Sequence, residues 1–214
     1  MLKFEGVFCM QIFLIRHGMT EGNKFHKYIG RTDEPLCEEG IEEAGRCGPY
    51  KGVKKVFVTP YIRTQQTASI IYPNAEQIIV DGLKEMDFGD FENRSYEDMR
   101  TDRAYRKWID EDCEGDCPNG ERMDEFSERV CRAFEDTLDL LREQRVDKAY
   151  FVVHGGTIMA IMWHFVNQSA HFYDFRTRNC CGYLLDYYDL PGDNKRFQIL
   201  GQLTGKPDRE DVED

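Results

Sequence analysis

Residues 12–15 read Ile-Phe-Leu-Ile and run directly into Arg16-His17-Gly18. A strand with apolar side chains at consecutive positions has no face to turn to water, so both of its faces must be covered. The run therefore points to a central strand of a parallel sheet with helices on both sides. Other segments repeat the theme. Residues 53–58 form a second apolar strand that breaks at Thr59-Pro60, and 78–80 a short third. Residues 149–153 form a fourth, apolar throughout, that ends in His154-Gly155-Gly156. Helical patterns lie between them. Residues 38–47 would turn Ile41 and Ala44 inward, and 61–71 would bury Ile62, Ala68 and Ile71 before Pro73-Asn74 ends the helix. Residues 121–144 place Phe126, Val130, Leu138 and Leu141 at three- and four-residue steps, and 157–165 follow the fourth strand. Residues 180–188 and 197–200 predict an antiparallel hairpin joined through 191–194. The alternation predicts an α/β fold: a three-layer α/β/α sandwich around a mostly parallel sheet.

The chain has 214 residues, enough for one domain with a sizeable core, and shows no internal repeat or linker. Residues 1–9 fit this pattern poorly and read as an N-terminal extension, with Met10 a candidate natural start. The alternative is an added edge strand from Val7 to Met10 that runs into the first strand. Residues 10–204 then form the domain, and 205–214 an acidic tail. Residues 86–120 are the least regular part. Ser95 and Asp98 resemble a capping box for a helix over 96–101, and 104–110 suggest a second. The segment reads as a helical insertion above the sheet edge, a candidate lid.

With 28 Lys and Arg against 40 Asp and Glu the net charge is −12, which argues against nucleic-acid or anionic-membrane partners. A local group of Arg and His can still attract a small anion. No apolar run approaches the ~20 residues of a membrane span, and the N-terminus lacks a secretory pattern. The expectation is a cytoplasmic protein, with a homodimer left open. The eight cysteines contain no C-x-x-C pair, and Cys113 and Cys117 lack a second half-site, so reduced thiols and no metal are expected.

Two buried strands thus end in His-Gly, and in open α/β sheets ligands gather at the carboxyl ends of strands. If the two strands are neighbours, His17 and His154 share a crevice. The strand ending at Thr59 leads into a helix with Arg63 on its first turn, and Glu85 follows the third strand. This set suits phosphoryl transfer. Arg16 and Arg63 can each grip a phosphate dianion with paired donors, and helix-start amides at Gly155 and Gly156 add more. A neutral His17 can attack phosphorus, its positive surroundings opposing protonation. His154 would stabilise the equatorial oxygens. A protonated Glu85 would donate to the leaving oxygen. Tyr28, Tyr96, Tyr105 and Trp108 are candidates to contact the organic part of a substrate, with core packing as the alternative.

These residues resemble the histidine phosphatase (phosphoglycerate mutase-like) superfamily. Leu14-Ile15-Arg16-His17-Gly18 with Thr20 and Asn23 is similar to its nucleophile motif. Thr59-Pro60 through Ala68 is similar to its second phosphate-binding motif. Leu83-Lys84-Glu85 with Phe88-Gly89 is similar to its acid motif, and Val153-His154-Gly155-Gly156 to its second-histidine motif. Gly30-Arg31-Thr32-Asp33, Pro35-Leu36 and Glu39-Gly40 also fit. The resemblance implies a phosphoglycerate mutase-like fold and His17 as the phosphorylated nucleophile. Arg16, Arg63 and His154 would complete the phosphate pocket, with Asn23 and Gly155 as further substrate-binding residues and Glu85 as the proton donor. It implies no cofactor and no metal. Met19 stands where a Glu is common, and Asn119-Gly120-Glu121-Arg122 replaces a usual Gly-Gly-Glu-Ser, which puts a substrate role for that loop in doubt. The short stretch from Glu85 to Glu121 favours a phosphatase over a mutase. The Gly-Arg-Thr-Asp-x-Pro-Leu stretch and the overall length resemble the α-ribazole and broad-specificity phosphatases. The expected partner is a small phosphomonoester. A phosphate-binding module without turnover is a weaker reading because no expected catalytic residue is missing, and a redox or metal protein is weaker still because the cysteines are scattered.

Overall fold

The computed structural model describes residues 8–190 and 194–204. Six strands, β1 (Phe8–Arg16), β2 (Lys55–Val58), β3 (Glu76–Ile79), β4 (Lys148–Val153), β5 (Gly182–Leu190) and β6 (Asn194–Leu203), form one sheet in the order β3-β2-β4-β1-β5-β6. The pairs β3–β2, β2–β4 and β4–β1 are parallel, whereas β5 runs antiparallel to both β1 and β6. The helices are α1 (Glu21–Lys24), α2 (Glu38–Cys47), α3 (Ile62–Ile71), α4 (Tyr96–Met99), α5 (Arg103–Asp110), α6 (Met123–Glu143) and α7 (Gly155–Phe165).

Alternate residues of the central strands feed two cores. Met10, Ile12 and Leu14 of β1 join Phe57, Phe151 and Val153 under α6 and α7, where Phe126, Val130, Phe134, Ile158 and Ile161 close the layer. Ile15 joins Val56, Val58 and Val152 on the opposite face, under Ala44 of α2 and Ala68 and Ile71 of α3. This is the double covering that the apolar run requires. Each fully buried Ile or Leu contributes about 1.5–3 kcal/mol. The expected three-layer α/β/α arrangement with its mostly parallel centre is the observed one.

Some sequence expectations need correction. Phe8 and Cys9, assigned to the extension, continue β1 and pair with Asp189 and Tyr188 of β5, and Met10 is fully buried. Residues 1–7, residues 191–193, where most of the expected hairpin connection falls, and residues 205–214, expected as an acidic tail, lie outside the described residues. Ile41, expected inward, is 47% exposed. The buried stripe of α2 is Gly40, Ala44 and Cys47, and Ile41 sits one position off it. Ile62 is likewise exposed at the start of α3. The 86–120 segment carries the short helices α4 and α5 between irregular stretches, and its Ser95–Asp98 capping box is formed. Phe91, Met99, Tyr105, Trp108 and Cys117 are buried in the same cluster as α6 and the sheet, which roots the insertion in the main core. Among the described residues no helix is long and apolar enough to cross a membrane.

Candidate active site at the carboxyl ends of β1 and β4

Strand register explains why the two histidines meet. Arg16 at the end of β1 lies opposite Val153 at the end of β4, and the next residue on each strand is a histidine. The backbone amide of His17 donates to the Val153 carbonyl at 2.9 Å, extending the ladder by one step. The imidazole centroids are 5.2 Å apart, and both rings are buried.

Nδ1 of His17 lies 2.7 Å from the carbonyl oxygen of Gly18. A carbonyl can only accept, so Nδ1 carries the proton and Nε2 keeps its lone pair. Burial pushes the imidazole well below its usual range, and the nearby Arg63 and Arg16 guanidiniums push it the same way. Neutrality at pH 7 thus comes first from desolvation and second from the positive neighbours. The turn is tied to α3 through Thr67, whose hydroxyl accepts from the Gly18 amide at 2.8 Å and donates to the Arg63 carbonyl at 2.7 Å.

Arg63 is fully buried on the first turn of α3. It donates through Nη1 to the Thr32 carbonyl and through Nη2 to the Gly30 carbonyl, both at 2.8 Å. Glu92 holds that loop, accepting from the amides of Gly30, Arg31 and Thr32 and from the Thr32 hydroxyl at 2.7 Å. Only glycine fits at position 30, where a Cβ would overlap the Met86 carbonyl. Arg16 donates through Nη1 to the Thr177 carbonyl at 2.7 Å, and the Cys180 amide donates to the Arg16 carbonyl at 3.0 Å.

His154 caps α7, and its Nε2 lies 2.9 Å from the Thr59 hydroxyl, which lies 3.0 Å from that of Thr64. Thr64 can place its own proton on the Tyr61 or Thr59 carbonyl, at 2.9 and 3.1 Å. Thr59 can then donate to Thr64 and accept from Nε2. His154 is pushed well below its usual range by burial, then by Arg63, His17 and Arg16. Nε of Arg16, Nε of Arg63 and Nδ1 of His154 are buried with no hydrogen-bond partner. The two guanidinium N–H groups are donors an oxyanion would satisfy, and Nδ1 of His154 joins them if it takes up a proton.

Glu85 follows a single 3₁₀ turn over Asp81–Leu83. Its Oε2 accepts from the Gly156 amide at 2.9 Å and its Oε1 from the Met86 amide at 3.0 Å. Burial raises its affinity for a proton. The two amides and the guanidiniums of Arg63 and Arg16 oppose this without reversing it. The Gly156 amide, expected to face phosphate, is thus engaged by Glu85, while Gly155 lies against Arg16, with a Cβ there 3.3 Å from Arg16 Nε. Asn23 sits on α1. Its Oδ1 accepts from the Thr20 amide at 3.3 Å and from Nδ2 of Asn179 at 3.1 Å. Among the described residues no His, Cys, Asp and Glu side chains group into a metal-binding cluster.

The family model described as the histidine phosphatase superfamily (branch 1) matches residues 12–199. The chain belongs to the histidine phosphatase superfamily. Within that superfamily it is 30% identical to the probable phosphoglycerate mutase GpmB of Yersinia pestis (strain Pestoides F), over 85% of this chain and 87% of that protein. It superposes on the crystal structure of the α-ribazole phosphatase from Shigella flexneri with a TM-score of 0.72 and 25% identity, covering 92% of this chain and 98% of that one. A phosphoglycerate mutase structure from Bacillus anthracis str. Sterne gives a TM-score of 0.72 at 16% identity, covering 92% and 93%, which speaks for the fold alone.

Among the residues singled out by the histidine phosphatase motifs, His17 lies beside His154 and within electrostatic reach of Arg16 and Arg63, Glu85 is bonded to the Gly156 amide, Gly155 lies against Arg16, and Asn179 joins Asn23 to the His17 carbonyl. The aromatic residues proposed as substrate contacts are engaged with one another instead. Tyr105 and Trp108 are buried, and Tyr28 spends its hydroxyl on that of Tyr105 at 2.8 Å and its ring on Phe88 and Trp108. Tyr96 is exposed and packs edge-on against Tyr105. Core packing is thus what three of these four rings do. Sequence reading missed Thr59 as the partner of His154, Asn179 and Thr177 behind Arg16 and Asn23, and Arg129 behind Glu85. Thr59 lay inside a motif, so its position was a usable signal.

Proposed function

We propose that this chain is a phosphatase that hydrolyses small phosphomonoesters through a phosphohistidine on Nε2 of His17. The observation that carries the reading is the Nδ1–Gly18 hydrogen bond. It fixes the tautomer with a free Nε2 lone pair, inside a pocket whose unpartnered donors come from Arg16 and Arg63, beside the unpartnered Nδ1 of His154.

In the first step Nε2 attacks phosphorus in line, the N–P bond forms and the ester P–O bond breaks. Protonated Glu85 gives its proton to the departing oxygen, so the alcohol leaves neutral. Arg16, Arg63 and, in its protonated form, His154 hold the equatorial oxygens and stabilise their charge in the transition state. In the second step the Glu85 carboxylate takes a proton from water, the water oxygen attacks phosphorus and the N–P bond breaks. Phosphate leaves, and Glu85 is protonated again. No metal enters either step, so activity is expected to survive EDTA.

The likeness to an α-ribazole phosphatase supports α-ribazole 5'-phosphate as one substrate to assay. The 30% identity to GpmB favours phosphoglycerate mutase-type transfer as the second reading. It requires a bound bisphosphate that water cannot reach, and the short stretch between Glu85 and Glu121 argues against such a closed site.

A panel of phosphate metabolites, with a phosphoglycerate mutase assay alongside, tests the reading. Wild-type protein is expected to release inorganic phosphate and to form an acid-labile phosphoenzyme, and His17→Ala to do neither. A His17→Ala protein that still labels from a phosphate donor would overturn the nucleophile assignment.

A further inference from the structure

We propose that Tyr61 is the surface on which the alcohol part of the ester lies, and that it favours esters whose leaving group carries a flat, uncharged ring. The proposal rests on the phosphatase reading above and deepens it.

Tyr61 stands at the N-cap of α3, two residues before Arg63, in an extended conformation that makes no side-chain cap. Its ring meets the His154 ring edge-on at 5.7 Å, and the Arg63 guanidinium lies over it at 4.5 Å from the centroid. His154 and Arg63 are fully buried, whereas Tyr61 is only half-buried. It therefore forms the boundary between the buried phosphate-binding nitrogens and solvent. A ring covered by a cation on one side and partly open elsewhere is suited to stack with a second ring. The aromatics expected to do this are committed elsewhere, Tyr28, Tyr105 and Trp108 to one another and Tyr96 to Tyr105.

The charges around Tyr61 narrow the class. Carboxylates Asp87 and Glu92 lie within electrostatic reach of its hydroxyl, as do the cations Arg63 and Arg129. Asp33 accepts from the amide of the next residue, Ile62, at 2.7 Å. Arg129 is neutralised by Glu121 and Arg31 is engaged by Asp87. Outside the phosphate pocket, then, the rim of Tyr61 offers the carboxylates of Glu92 and Asp33, with Asp87 paired to Arg31, and no unpaired cation among these groups. A leaving group with its own carboxylate or second phosphate meets repulsion there, and a neutral ring does not.

Phosphonates test this without turnover, because the carbon–phosphorus bond is not hydrolysed. Calorimetric titration of the full chain with phenylphosphonate, methylphosphonate and phosphonoacetate is expected to rank phenylphosphonate about five- to tenfold tighter than methylphosphonate. Phosphonoacetate should bind no tighter than methylphosphonate. Tyr61→Leu should abolish the phenyl preference, lowering phenylphosphonate affinity more than methylphosphonate affinity, while Tyr61→Phe keeps the preference. Tyr61→Gln is a second variant without the ring, should the leucine protein not fold. An equal loss for phenyl and methyl ligands would make Tyr61 a prop for Arg63 and overturn the proposal. So would an undiminished phenyl preference in the ring-less variants. A wild type that binds phenylphosphonate with this preference yet hydrolyses no ester would remove the phosphatase reading and leave the assignment of Tyr61 standing.

Discussion

Arg129 of α6 meets the carboxylate of Glu121 with two parallel donors, Nε to Oε1 at 2.8 Å and Nη2 to Oε2 at 2.7 Å. The remaining Nη1 donates to the carbonyls of Gly82 and Lys84, at 2.9 and 3.1 Å, and Nη2 also reaches the Glu85 carbonyl at 3.4 Å. Glu121 in turn accepts from the Asp87 amide at 3.0 Å. The pair thus clamps the backbone on both sides of the proposed acid. Within residues 119–122, Glu121 is bonded to the loop that carries Glu85.

Arg129→Met should therefore loosen Glu85 without touching the phosphate pocket. Both partners of the pair are about a quarter exposed, so the loss of stability is expected to be about 1–3 kcal/mol rather than that of a fully buried pair. Urea unfolding at pH 7 measures it. Turnover of alkyl phosphates, which need the acid, should fall more than that of aryl phosphates. Equal losses would mean that the clamp serves folding alone.

The acid itself has a sharper signature. Glu85→Gln cannot protonate a leaving oxygen, so alkyl phosphates should slow by roughly 10²–10⁴-fold. Aryl phosphates depart as weakly basic anions and should slow far less. Steady-state rates for a series of esters of graded leaving-group basicity check this. A uniform decrease across the series would exclude Glu85 as the donor.

The pH profile follows from two opposite shifts. His17 must be neutral to attack, and its protonation is pushed well below the ordinary 6.5 by burial and by Arg63 and Arg16. Glu85 must be protonated to donate, and burial raises it from the ordinary 4.5. The reactive form therefore gains population as pH rises through the lowered His17 pKa and loses it as pH rises through the raised Glu85 pKa. Bound substrate phosphate near the carboxyl raises that pKa further, which extends the upper limit of kcat and not that of kcat/KM. Measured with an alkyl ester, which needs the acid, kcat/KM of the wild type should fall on the alkaline side, and the residual activity of Glu85→Gln should lack that decline. The titration of the ester is common to both enzymes and cancels in their ratio. A ratio that stays constant across the alkaline range would contradict the assignment.

The parts of this molecule that could be read from sequence are those with local signatures. The run at 12–15 required two covered faces, and the two His-Gly turns placed the site at strand ends. Register then did the rest, since Arg16 and Val153 are partners. The misreadings arise where local pattern and tertiary packing separate. Ile41 is apolar but one position off the buried stripe of α2. Tyr105 and Trp108 lie in an irregular acidic segment, yet they are buried in the cluster that also holds the α6 and sheet side chains. The braces were invisible for a simpler reason. Thr177 bonds Arg16 across 161 residues and Asn179 bonds Asn23 across 156, and such contacts leave no periodicity to detect.

Asn179 provides the most direct test of those braces. Its Nδ2 donates to the His17 carbonyl at 3.0 Å and to Oδ1 of Asn23 at 3.1 Å. With the Thr20 amide also on Oδ1, the Asn23 amide is fixed so that its Nδ2 is left to donate elsewhere. Removing one neutral hydrogen bond costs about 0.5–1.5 kcal/mol, so Asn179→Ala should lower kcat/KM about two- to tenfold. If Asn179 works by orienting Asn23, its loss should matter little once Asn23 is gone. A double-mutant cycle with Asn23→Ala, read in kcat/KM and in inhibition by inorganic phosphate, measures the coupling. Non-additive losses in both readouts are expected. Additive losses would assign Asn179 to the His17 carbonyl alone, where it supports the nucleophile turn and not the orientation of the Asn23 amide.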